Sequence, residues 1–181
     1  MHYRYLLVIA LTAFANSGAR AQVKQPEQMT QQIHNAPPAF PKITGYVGIM
    51  HPIVAFSKDE PHYNFDGAYV VGLPCGINLW KSNAVGFSME FVPLIKASGG
   101  ASKMNNFIFH PGALFRLGHG FVLATRAAFE TSGRYGFTPV LNKTVVKRAN
   151  SSYYLALPVP VRFGNEQPTS VSIGFQFGIA F

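Results

Sequence analysis

Four residues in one short stretch carry side chains suited to acyl transfer: Ser57, Asp59, Glu60 and His62. That chemistry needs a nucleophile, a base and an orienting acid within hydrogen-bond reach. Nearness in sequence does not supply the geometry, and Ser, Asp and His are also ordinary loop residues. No G-x-S-x-G elbow occurs in the chain. A second set, Glu90, Arg116, Arg126, Glu130 and Arg162, is spread over the middle and end of the sequence. Its mixed signs suggest mutual pairing rather than catalysis, provided some fold brings the five together. His51, His62, His110 and His119 are dispersed without a metal-ligand spacing. Cys75, the single cysteine, reads as a small hydrophobe. No metal, no cofactor and no catalytic residue is expected, although a lipid-modifying activity at the first loop stays open as an alternative.

The elements that must position these residues show in the alternation of the chain. From residue 43 onward, segments of about ten residues alternate large apolar and small or polar side chains, which is the period of a strand. Eight such segments are expected, at 43–55, 67–79, 84–96, 106–117, 120–131, 135–145, 151–163 and 170–181. In the third, Val85, Phe87, Met89, Phe91 and Ile95 oppose Gly86, Ser88, Glu90 and Lys96. In the fifth, Phe121, Leu123 and Phe129 oppose Arg126 and Glu130. In the seventh, Tyr153, Leu155, Leu157 and Phe163 oppose Pro158, Pro160 and Arg162. The two prolines lack N–H groups, so a bulge or a barrel rim is expected there.

One face is therefore greasy, and the other holds every internal charge. Periodicity does not say which face points inward. Composition does: 12% charged residues are too few to cover a soluble surface, and 14% aromatic residues are too bulky for a closed eight-stranded interior. The expected fold class is all-β, a closed up-and-down antiparallel transmembrane β-barrel of about eight strands with the apolar face toward lipid. Its interior would hold Glu90, Arg116, Arg126, Glu130 and Arg162 as a network of ion pairs, because a lone charge in that space is costly. Eight strands leave little room for an open channel. Trp80, Tyr69 and Tyr153 fit an interfacial aromatic belt. Short turns, as at residues 81–83 and 118–120, alternate with longer polar stretches at 57–66 and 97–106. Asn142 to Asn150 reads as a long connection on the turn side. A soluble periplasmic barrel that binds an apolar ligand remains a rival with the two faces exchanged.

Ahead of the barrel, residues 1–21 read as a signal peptide. Arg4 begins it, ten apolar residues from Leu6 to Ala15 follow, and Ala19-Arg20-Ala21 supplies a small-x-small cleavage site. Ten residues make only about 15 Å of helix, against a bilayer core of roughly 30 Å. Residues 22–42 form a polar tail rich in Pro and Gln, and 43–181 the barrel domain. Loss of Arg4 and Arg20 leaves 13 basic against 7 acidic residues. These basic residues are scattered, which favours anionic lipid headgroups over nucleic acid as the partner, while an ordinary solvated surface is an equally good reading of the same charge.

The last stretch, SVSIGFQFGIAF from Ser170 to Phe181, resembles the C-terminal strand signal of bacterial outer-membrane β-barrels. The runs GLPCGINLWKSNAVGFSMEFVPLI (72–95) and LALPVPVRFGNEQPTSVSIGFQFGIAF (155–181) are similar to small eight-stranded outer-membrane barrels of the Bacteroidota type. The resemblance implies an address in the outer membrane of a Gram-negative bacterium and contact with outer-membrane lipids. It also implies that Phe181 is the insertion signal read by the barrel-assembly machinery. Proteins of this kind differ widely in role, so what it implies for function is structural, adhesive or surface interaction through the loops at 57–66 and 97–105. The surface partner stays open.

Overall fold

The computed structural model describes residues 39–58 and 60–181. The signal-peptide segment, residues 22–38 of the tail and Asp59 lie outside the described residues. Eleven strands follow in order: β1 Lys42–Phe56, β2 Pro61–Tyr63, β3 Tyr69–Gly72, β4 Cys75–Trp80, β5 Val85–Ser98, β6 Ala101–Gly118, β7 Phe121–Glu130, β8 Tyr135–Lys147, β9 Ser152–Pro158, β10 Val161–Phe163 and β11 Ser170–Ala180. All pairings are antiparallel, and β11 pairs back onto β1, so the sheet is closed.

Ten of the eleven strands make eight staves, and β2 lies in the first loop. Glycine 72 and Cys75 keep one register against both neighbours, so β3 and β4 are a single stave in which Pro74 interrupts the ladder. The same holds for β9 and β10 around Pro158 and Pro160. The bulge expected at these prolines is therefore not there. The strand stays in register and simply forgoes the bonds a proline cannot donate, while Val159 N–H still reaches Pro139 O at 2.9 Å. Both staves are interior to a closed ring, a place where proline is uncommon.

Closure fixes the geometry of the ring. From Lys42 the pairing runs through Trp80, Gly86, Leu114, Ala124, Val140 and Pro158 to Gly174, the last step following the register of Ala156 with Gln176. Gly174 then pairs with Pro52, so the circuit returns to β1 ten residues beyond its start. Eight strands with that stagger tilt by about 40° and leave an interior that side chains can fill.

Two connections differ from expectation. Residues 97–106 are not a loop: β5 and β6 continue as a hairpin, turning at Gly99 and Gly100, both with positive φ (59° and 79°). Polar residues on strands that extend past the apolar zone look like loop in sequence. Likewise β8 runs on to Lys147, leaving a tight turn closed by Arg148 N–H to Ser151 O at 2.8 Å. Strand β2 forms within the first loop by pairing His62 with Ala55.

Burial decides the direction of the two faces. Among the described residues, thirty-two large hydrophobic side chains are exposed, whereas ten hydrophobic residues are buried. Phe87, Met89, Phe129 and Phe177 point outward. Inside, Leu114, Val140, Ala124, Tyr46 and Tyr154 form one apolar layer, and Val92, Ile108 and Ala128 form a second. Trp80 belongs to the first layer at 6% exposure, so it is a packing residue of the lumen and not part of an outer belt. It alternates with Leu79 and Ile77, which take the outward positions. Tyr153 does point outward, and Tyr69 is half-buried with its hydroxyl 2.7 Å from His51 Nδ1.

Candidate functional site

The inner face of the staves is rich in glycine because a few large side chains need the space. A Cβ on Gly76 would lie 2.5 Å from the Tyr46 hydroxyl, and one on Gly112 would lie 2.7 Å from Arg126 Cγ. Tyr46 and Arg126 can thus cross the lumen and meet residues from other staves.

They meet at Glu90, which is 3% exposed. Tyr46 donates its hydroxyl to Glu90 Oε2 at 2.8 Å, and Arg126 Nη1 stands 3.5 Å from Glu90 Oε1. Arg126 also donates to the Tyr46 oxygen at 3.1 Å and to Ser88 Oγ at 3.2 Å and 3.3 Å. His110 Nδ1 lies 3.0 Å from Glu90 Oε1. Its other nitrogen, Nε2, faces Arg162 Nη2 at 3.0 Å and Thr138 Oγ1 at 3.3 Å. An arginine only donates, so Nε2 must accept and the imidazole proton sits on Nδ1, directed at Glu90. Arg162 closes the chain by donating Nε–H to Glu130 Oε1 at 2.5 Å and Nη1–H to Thr138 Oγ1 at 3.0 Å. Glu130 Oε2 further accepts from Asn106 Nδ2 at 2.6 Å and from Ser132 Oγ at 2.9 Å.

The result is one continuous polar train, Tyr46–Arg126–Glu90–His110–Arg162–Glu130, linking five staves. Two carboxylates balance two guanidinium groups around a neutral imidazole. Each charge has a partner and further hydrogen bonds, the condition under which burial of ions is tolerable. Of the five charged residues expected to share the interior, four are in this train. Arg116 is not. It points inward but lies at the exposed mouth on the turn side, where its guanidinium carbon sits 4.0 Å above the Trp80 ring and, among the described residues, it has no carboxylate partner. Period two identifies the face a residue takes but not its height in a tilted barrel.

His110, read from the sequence only as one of four dispersed histidines, bridges the two ion pairs. Tyr46, Ser88, Asn106 and Thr138 were not singled out. Their signal was alternation with charged neighbours, and their partners lie on staves far away in sequence.

The arrangement braces the barrel across its width and contains no nucleophile–base pair. Ser88 Oγ accepts from arginine and has neither imidazole nor carboxylate beside it. In the first loop, no hydrogen bond joins Ser57, Glu60 and His62 among the described residues, and His62 is exposed on β2. No group of three His, Cys, Asp or Glu is gathered for a metal among the described residues. Phe181 extends the closing seam: its N–H donates to Gly45 O at 2.9 Å, and Gly45 N–H to Phe181 O at 2.8 Å.

The fold is similar to a solved structure described as "De novo design of transmembrane beta-barrels", with 12% sequence identity and a TM-score of 0.42, over 76% of this chain and 93% of that one. No family model matches the sequence, and no curated protein matches it.

Proposed function

We propose that the chain is an integral barrel of the Gram-negative outer membrane, exported after cleavage near Ala21, with a structural, adhesive or surface-interaction role and no open pore. The observation that carries this reading is the inversion of the two faces. The outer wall is a continuous band of Phe, Leu, Ile, Val and Met, while the charges are gathered and neutralised inside. An exposed apolar surface of that size belongs against lipid. Outer-membrane lipids are then its solvent, and Phe181 is the strand end presented to the barrel-assembly machinery. The side bearing residues 57–68, the 99–100 turn, 131–134 and 164–169 is the surface offered to partners. Lysines 58 and 103 on that side would meet headgroup phosphates.

The test is heat-modifiability. The membrane fraction is extracted in detergent and run on a denaturing gel with and without boiling. A membrane-bound species whose mobility shifts on boiling is the expected result. A soluble species with no shift would overturn the reading and exchange the roles of the two faces. Closure of the lumen is checked separately in planar bilayers, where the protein is expected to carry no steady current.

A further inference from the structure

The mouth of the barrel on the turn side opens into a funnel of about 730 Å³. Its walls carry Lys42, Arg116, Lys147 and Arg148 together with Phe181, its floor is Arg126, and among the described residues no Asp or Glu lines it. The asymmetry extends beyond the funnel. Among the described residues the turn side carries Lys42, Lys81, Arg116, Lys143, Lys147 and Arg148 without an acidic side chain, whereas on the loop side Lys58, Lys103 and Arg134 are accompanied by Glu60, Asp66 and Glu166, and Glu90 and Glu130 lie inside. A local bend aims one of the cations. The extra residue at Val145 resets the pleat so that Lys147 pairs with Ser152 and lines the funnel. Arg116 holds its guanidinium carbon 4.0 Å above the Trp80 ring, and both residues line the funnel. Among the described residues none of the four wall cations makes an ion pair, the Phe181 carboxylate included. Asn78, whose buried Oδ1 has no partner, lines the same space, and turning its amide over presents an NH₂ group.

Unneutralised cations around a concave, partly apolar pocket concentrate anions and hold them by charge-assisted hydrogen bonds. We propose that this funnel is a binding site for phosphate-bearing anions, entering from the turn side. The chemistry is that of a phosphate ester or diphosphate, carried either by a small soluble molecule or by a lipid headgroup of the adjacent leaflet. The soluble form does not rest on the membrane reading, since the funnel is part of the barrel whichever solvent surrounds it, whereas the headgroup form does.

The chain supplies its own reporter. Trp80 is the sole tryptophan and forms the stack with Arg116, so an anion that draws Arg116 away alters its emission. The protein purified in zwitterionic detergent is titrated with inorganic pyrophosphate, with sodium chloride at matched ionic strength as reference. It is titrated again in nanodiscs of phosphatidylcholine and of phosphatidylglycerol. The comparison variant is Lys42→Gln with Lys147→Gln and Arg148→Gln, which keeps Arg116 and Trp80 and changes only exposed rim residues. Its boiled and unboiled gel mobilities establish that it folds. A saturable response to pyrophosphate, weakened roughly tenfold or more in the variant, assigns the site to soluble phosphates. A variant-sensitive difference between the two nanodiscs, with no response to pyrophosphate, assigns it to lipid headgroups. Equal, non-saturating responses to pyrophosphate and chloride, with no variant-sensitive difference between the nanodiscs, overturn the proposal.

Discussion

Arg162 Nη2 stands 3.0 Å from His110 Nε2, and through that contact two ion pairs that lie apart in the lumen become one network. Glu90 and Arg126 form the pair toward the turn side, Glu130 and Arg162 the pair toward the loops. Because an arginine cannot accept, the contact fixes the tautomer of the histidine and hence its hydrogen bond to Glu90. Orientation on one side of the lumen is thereby tied to charge on the other.

Arg162→Met leaves Glu130 buried without its counter-ion. Breaking one partner of such a pair costs about 3–5 kcal/mol. The temperature at which the folded gel band disappears is expected to fall clearly, and Glu130→Gln in the same chain is expected to recover part of the loss. A single variant as stable as the parent would mean the pair is solvated.

Met89 lies on the outer wall, more than half exposed. In a bilayer, Met89→Lys sets a charge against lipid and is expected to cost about 2–4 kcal/mol if it lies at mid-depth. Reversible urea unfolding in vesicles measures this. In a barrel surrounded by water the same change would be close to neutral, so the substitution also tests which solvent the wall meets.

Gly112→Val drives a side chain into Arg126 and the backbone of β7. Overpacking of this kind costs about 1–3 kcal/mol, with Arg126 pushed from Glu90 and Tyr46. The expected result is a lower unfolding midpoint, with the loss reduced when Arg126→Ala is made in the same chain. Additive losses would show that the glycine serves only its own strand.

Removal of Phe181 takes away two backbone hydrogen bonds to Gly45 and the side chain proposed as the insertion signal. Membrane assembly in cells is expected to drop sharply, while refolding of the purified chain into micelles is reduced only modestly. Equal losses in both assays would assign Phe181 to stability alone.

The staves were legible because each buries one face and exposes the other to a different medium, so period two persists along nearly every segment. Where both faces meet water, the pattern fails, and that is why residues 97–106 looked like a loop although they continue β5 and β6. The candidate network was legible as a set of inner-face charges but not as a set of contacts. Glu90 and Arg126 sit on nonadjacent staves, and their meeting depends on tilt and stagger, which only closure of the ring determines. Arg116 and Trp80 show the same limit: both point inward, yet one is at the mouth and the other at the edge of the packed layer.

The seam between β1 and β11 joins the first stave to the last, with Tyr46 beside Ala180 and Phe56 beside Val171. Every other junction of the ring joins staves that are neighbours in the chain. During synthesis the first stave therefore waits for the final residues before its second side is occupied, and the closure bridges nearly the whole domain, which makes it slow. Until then two strand edges with unpaired N–H and C=O groups, backed by an apolar wall, are open to any other chain. Covering those edges until the last stave is available is therefore expected to suppress association with other chains.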